Sequence, residues 1–139
     1  MQFALTLLAC IVVAHTYAQD TKQEKVIKAY YSGFKNKDWN IIANSVADGF
    51  TFTSPAGDDH ISEAAFKEKC FPTSKFTKKV SFLNMVESGN QVFLLVQINT
   101  TDNKIVRNVD IFTFNSAGKI QTHECFFGAG EGYPGHNSN

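Results

Sequence analysis

The chain changes its hydrophobic period twice, and the changes divide it into three stretches. Residues 3–14 form an almost unbroken apolar run. From Val26 the apolar positions Val26, Ile27, Tyr30, Tyr31 and Phe34 recur at helical spacing, which predicts a helix to about Lys35. Thr21-Lys22-Gln23-Glu24 supplies a capping box for its start. Asp38 is a second N-cap, followed by Trp39, Ile42, Ala43 and Val46 as a second short amphipathic helix. Phe50–Thr53 alternates as a short strand closed by Ser54-Pro55-Ala56-Gly57. Ser62 caps a third helix running through Phe66 and Cys70, with Pro72 as its stop.

From about Lys78 the period becomes two. Four strands are predicted, at 79–86, 91–100, 104–115 and 119–127. Ser88-Gly89-Asn90, Thr101-Asp102-Asn103 and Ser116-Ala117-Gly118 separate them as hairpin turns. Helices and one early strand followed by a meander of strands predict an α+β domain, with three N-terminal helices packed on one face of a strongly curved, mostly antiparallel sheet. Such a sheet, closed by helices, is a cone with an interior. Residues 128–139 carry four glycines and Pro134 and are expected to stay outside the core as a flexible tail.

The apolar run at the start is too short to span a bilayer, which needs about 20 residues. Thr16-Tyr17-Ala18 places small residues at −3 and −1 of a cleavage site. Residues 1–18 are therefore expected to be a signal peptide cut before Gln19, leaving one domain at 19–127 that is secreted or periplasmic and free of the membrane. Leu7-Leu8-Ala9-Cys10 offers a lipoprotein alternative anchored at Cys10, although Ile11-Val12-Val13 follows where such proteins turn polar. Cys70 and Cys125 remain after cleavage, a pair that an oxidising compartment could join as a disulfide. Asn99-Thr100-Thr101 is a glycosylation sequon that matters in a eukaryotic source.

Composition sharpens the class. The 139 residues include 13 Phe, and 13 basic side chains balance 13 acidic ones. The aromatic supply is ample for a core, and zero net charge gives no field for steering onto nucleic acid.

The segment Val109-Asp110-Ile111-Phe112-Thr113-Phe114-Asn115-Ser116-Ala117-Gly118-Lys119-Ile120, followed by Cys125-Phe126-Phe127-Gly128, resembles the ending of NTF2-like proteins on the ketosteroid-isomerase and SnoaL-like side. Tyr30 and the stretch from Val46 to Gly57 extend the likeness to most of the chain after the leader. Ketosteroid isomerase uses an Asp base and an oxyanion hole of a Tyr and a protonated Asp. The resemblance places that Tyr on Tyr30 and that Asp on Asp110, but the base position falls on Ser54. A serine hydroxyl is no base at neutral pH without a partner to take its proton.

Replacement bases are Asp58, Asp59 and His60 on the following loop, expected mainly as a solvated turn, and His123 on the last strand. Alternation puts His123, Cys125 and Phe127 on one strand face, and Asn108, Asp110, Phe112 and Phe114 on one face of the preceding strand. The resemblance makes both faces the pocket side, places Cys70 in the pocket wall and lets Cys70 approach Cys125. Catalytic candidates are thus Tyr30, Asp110 and His123. The expected ligand wall is Phe34, Phe52, Ser54, Phe66, Phe82, Asn108, Phe112, Phe114 and Phe127. Each of Tyr30, Asp110 and His123 also has a plainer reading as a hydrogen-bonded core side chain.

No cofactor is implied, and no metal, because no His-x-His or Glu-x-x-His spacing occurs. The favoured reading is an exported binder of a small apolar molecule without established catalysis, expected to be a homodimer. The alternatives are an isomerase or cyclase with a replacement base, and a homodimeric scaffold whose cone is filled.

Overall fold

A computed structural model describes residues 19–127; the expected leader, Cys10 and the Gly-rich tail lie outside the described residues. The elements run α1 (Lys22–Asn36), α2 (Trp39–Ala43), β1 (Val46–Ser54), β2 (Asp58–Ser62), α3 (Glu63–Lys69), a 3₁₀ turn (Phe71–Phe76), then β3 (Thr77–Ser88), β4 (Gln91–Thr100), β5 (Ile105–Phe114) and β6 (Ile120–Phe127). No described helix is long and apolar enough to cross a membrane.

The local chemistry explains the helix ends. Thr21 accepts from the Glu24 backbone N–H, and the Glu24 carboxylate accepts from the Thr21 N–H, both at 3.1 Å. Lys37 closes α1 in the left-handed region at φ 60°. Asp38 and Ser62 cap α2 and α3 through the N–H groups of Asn40 and Ala65. The chain can double back so sharply after α1 because Gly33 has no side chain: a Cβ there would lie 2.5 Å from Ile42 Cγ1 and 3.0 Å from the Asp38 carbonyl oxygen.

One six-stranded sheet has the order β2-β1-β6-β5-β4-β3. Neighbours are antiparallel except β1 and β6, which pair in parallel. The last strand therefore occupies the middle of the sheet, between the first hairpin and the three-strand meander. Register shifts at Phe82–Asn84 in β3 and Phe52–Ser54 in β1 insert bulges, which bend a strand locally. The helices cover one sheet face and enclose a core of Ile27, Tyr30, Ile42, Phe50, Phe66, Leu94, Phe112 and Ile120.

Two element assignments differ from the sequence expectation. Val46 opens β1 rather than ending α2, because the chain leaves the helix at Asn44 and pairs Val46 with Ile120. Asp58, Asp59 and His60, expected as a solvated loop, belong to an edge strand, Asp58–Ser62, whose backbone pairs with β1 at Thr51, Phe52 and Ser54. Asp59, His60 and Ser62 remain exposed in a row broken only by Ile61, so side-chain patterning could not announce the strand.

Candidate functional site

The site is built where α1 crosses β5 and β6. Cross-strand register sets Asp110 opposite Cys125 and Phe112 opposite His123. Positions 110, 112, 114, 123 and 125 are all buried beneath the helices, whereas Val109 and Phe126 on the outer face are 46% and 50% exposed. Tyr30 and Tyr31, successive residues of α1, both reach down onto this surface and are buried.

Each tyrosine has its own partner. The Tyr30 hydroxyl lies 3.0 Å from His123 Nδ1, and the Tyr31 hydroxyl donates to Asp110 Oδ2. The resemblance pointed to Tyr30 as the companion of Asp110; the partner is Tyr31, because the helix carries the two rings to different strands. Asp110 Oδ1 and His123 Nε2 then face each other at 3.6 Å, and neither has a hydrogen-bond partner among the described residues. The result is a row of four groups, Tyr31, Asp110, His123 and Tyr30, in an aromatic shell. The imidazole stacks on Phe112 at 4.3 Å and meets the Phe52 ring at 5.0 Å.

Burial, followed by the field of the Asp110 carboxylate, raises both phenols well above the usual tyrosine range. The same two causes push the Cys125 thiol up. Cys70 is pushed up to about 11, by burial first and then by Asp58, against a smaller lowering from Lys69.

A cavity of about 140 Å³ opens beside this row. Of the expected wall, Phe34, Phe52, Phe66 and Asn108 line it, together with Tyr30, His123, Cys70 and Cys125. Tyr31, Thr73, Thr77, Val80 and Ile98 complete the lining. The Asn108 Oδ1 atom is buried without a partner among the described residues.

The other expected wall residues lie elsewhere. Phe112 and Phe114 are buried core, behind the cavity rather than on it, and Phe82 packs edge-on against the Tyr31 ring at 5.7 Å. Phe127 occupies the last rung of the β5–β6 ladder, opposite Asn108, and is 40% exposed. Ser54 donates to Asp58 Oδ2 at 2.9 Å, away from the cavity, and Asp58 also faces Lys69 at 3.7 Å. Asp59 and His60 are exposed. Among the described residues, therefore, no carboxylate lines the cavity at the ketosteroid-isomerase base position. Cys70 and Cys125 share the cavity as free thiols.

One arrangement escaped the sequence. Asp110, His123 and Cys125 bring an oxygen, a nitrogen and a sulfur within 4.8 Å of one another. His123 and Cys125 stand two apart on one strand, but only the cross-strand register brings Asp110 to them.

Comparison with known proteins gives a consistent picture. Residues 27–123 match the family model of the SnoaL-like domain. A search of curated proteins finds no match. Among solved structures the chain is similar to an NTF2-like protein of unknown function from Cytophaga hutchinsonii, at 20% identity and TM-score 0.60, covering 81% of this chain and 95% of that one. It is also similar to a protein of unknown function with a cystatin-like fold from Methylobium petroleophilum, at 18% identity and TM-score 0.67, over 84% and 82% of the two chains. A third similar structure is TerC co-crystallised with polyporic acid, at 17% identity and TM-score 0.65, covering 78% of this chain and 92% of TerC.

Proposed function

The chain belongs to the SnoaL-like domain family, within the NTF2-like superfamily, and from that premise we propose that it binds a small, largely apolar molecule in the cavity beside His123. The observation that carries this reading is an aromatic-walled space of about 140 Å³ with Asn108, His123, Thr73 and Thr77 as polar side chains of its wall. Ligand sites combine these features, an apolar enclosure and a few convergent polar atoms. The size limits the guest: a cavity of about 150 Å³ admits benzene. The buried part of the ligand is therefore one ring or its aliphatic equivalent, with a donor directed at Asn108. TerC, of the same fold, was co-crystallised with a small organic molecule, which supports the reading by analogy of fold.

The same proposal has residues 1–18 act as a leader that exports this binder from the cytoplasm. A second copy would pair through the outer sheet face, where Val109 and Phe126 are exposed cross-strand neighbours.

A second reading, proton transfer on the bound molecule, rests on His123. Its ring lines the cavity with Nδ1 held by Tyr30 and Nε2 facing Asp110, so taking a proton from the guest requires one of these contacts to open. Ser54 and Asp58 have no part in it.

The test is thermal unfolding of the purified protein against one-ring phenols, aromatic acids and cyclic ketones, with four-ring steroids beside them. A one-ring compound at 100 times its Kd should stabilise the fold by about 2.7 kcal/mol. Ile98→Phe, which fills the cavity, should abolish the gain. Absence of stabilisation by any one-ring compound, or an equal gain in Ile98→Phe, would reject the binding site. Solvent deuterium entering the carbon next to a bound ketone, and lost in His123→Gln, would establish the second reading.

A further inference from the structure

We propose that Asp110, His123 and Cys125 form a binding site for a zinc-class divalent cation, with one coordination position open to the cavity. The donors are a carboxylate oxygen, an imidazole nitrogen and a sulfur, all within 4.8 Å of one another. That mixture suits a borderline cation such as zinc, and three protein ligands with one position left open is the arrangement of reactive zinc sites.

The oxygen and nitrogen stand near the spacing of a bound pair, while the sulfur, within 4.8 Å of both, must close in toward the roughly 3.5 Å of a sulfur–nitrogen pair on tetrahedral zinc. Two ligands each about 2.0 Å from a tetrahedral zinc stand about 3.3 Å apart, and Asp110 Oδ1 and His123 Nε2 stand at 3.6 Å. They are also the two atoms of these side chains that lack a partner, on residues that are 0% and 5% exposed. Polar atoms that deeply buried are costly to leave unpaired, and one cation would satisfy both.

The remaining atoms of the two side chains are already oriented. Tyr31 donates to the other Asp110 oxygen, and Tyr30 holds the other His123 nitrogen. Outer partners of this kind fix the tautomer and rotamer of metal ligands. Charge balances as well. The carboxylate and a Cys125 thiolate carry two negative charges, the neutral imidazole none, and a divalent ion brings the set to zero as the thiol proton leaves to solvent. A buried set without net charge avoids most of the cost of taking ions out of water.

His123 and Cys125 line the cavity, so a cation held between them and Asp110 would lie at the cavity's edge. A guest with a phenolate, carboxylate or carbonyl oxygen would reach it. The alternative is a direct Asp110–His123 hydrogen bond, formed by closing the 3.6 Å gap, which uses up the same two atoms.

The experiment needs no guest, so its outcome is separate from that of the binding proposal. Purified, reduced, chelator-treated protein is titrated with cobalt(II). One equivalent should bind, with a thiolate-to-cobalt charge-transfer band in the near ultraviolet and intense tetrahedral bands in the visible, all displaced by zinc. Cys125→Ser should lose the charge-transfer band, and Cys70→Ser should keep it. Tyr30→Phe and Tyr31→Phe should each weaken affinity by about 10- to 100-fold. X-ray absorption of zinc-loaded wild-type protein, which depends on no variant's folding, should show one sulfur among the ligands. Absence of the band at one equivalent, its survival in Cys125→Ser, its loss in Cys70→Ser, or a zinc shell without sulfur would each overturn the site and leave the Asp110–His123 hydrogen bond as the role of these atoms.

Discussion

Replacing Tyr31 by phenylalanine removes one oxygen atom from the interior and nothing else. The ring contacts with Tyr30 at 5.6 Å and Phe82 at 5.7 Å survive, so the loss is confined to the hydroxyl that donates to Asp110 Oδ2. Asp110 is fully buried and its Oδ1 already lacks a hydrogen bond among the described residues, so the variant leaves neither carboxyl oxygen hydrogen-bonded to them. Leaving a buried acceptor without its hydrogen-bond partner costs about 1–3 kcal/mol. Against a total stability of about 5–15 kcal/mol, that is a large share. For a domain spanning residues 19–127, at about 4 °C per kcal/mol, a 2 kcal/mol loss lowers Tm by about 8–9 °C. Urea unfolding of the metal-free protein measures the free energy directly. A cycle with Asp110→Asn should return a coupling of about 0.5–3 kcal/mol between the two positions. Tyr30→Phe, which loses a bond to an imidazole nitrogen, should cost only about 1 kcal/mol. A Tyr31→Phe effect below about 0.5 kcal/mol, with no coupling to Asp110, would refute the pairing of Tyr31 with Asp110.

Two further outcomes follow from the packing and from the thiols. Gly33→Ala should destabilise the fold by about 1–3 kcal/mol, since the new Cβ would lie 2.5 Å from Ile42 Cγ1 and the helical gain of about 1 kcal/mol does not offset that overlap; a more stable variant in urea unfolding would show that α2 yields freely. Cys70, pushed up to about 11 from an ordinary 9.0, has about one hundredth of the usual thiolate fraction near neutrality. Alkylation of the native, metal-free protein should accordingly be about 100-fold slower than that of an exposed thiol at pH 7 and accelerate tenfold per pH unit toward 11; the rate of a free cysteine at pH 7 would contradict the burial of Cys70.

Much of the frame was legible because local chemistry dictates it. The capping box at Thr21, the caps at Asp38 and Ser62, and the alternation of residues 91–100 each act within a few residues and survive unchanged in the fold. What was hidden depends on distant partners. Asp58–Ser62 is a strand only because β1 offers it hydrogen bonds, and Asp-Asp-His carries no apolar alternation to signal this. The parallel pairing of β1 with β6 leaves no trace in either segment alone.

The site shows the same division. Alternation placed Asp110, His123 and Cys125 on buried faces, but which side chain meets which is set by how α1 crosses the strands. Tyr31 stood in the helical stripe beside Tyr30 from the start; only the crossing gives it Asp110 and gives Tyr30 the imidazole. Val80 and Ile98, from the far strands β3 and β4, join the cavity wall because the sheet brings them there.

The central position of β6 also governs the order in which the molecule can come into being. Until residues 120–127 leave the ribosome, β1 and β5 are two open edges with no strand between them. Contacts joining the first strand to the last close a long loop and tend to be slow to form. A nascent or truncated chain ending before Ile120 has both edges exposed, a template for association with other chains. His123 and Cys125 arrive on that closing strand, so the act that completes the sheet is the same act that assembles the cavity wall and its polar groups.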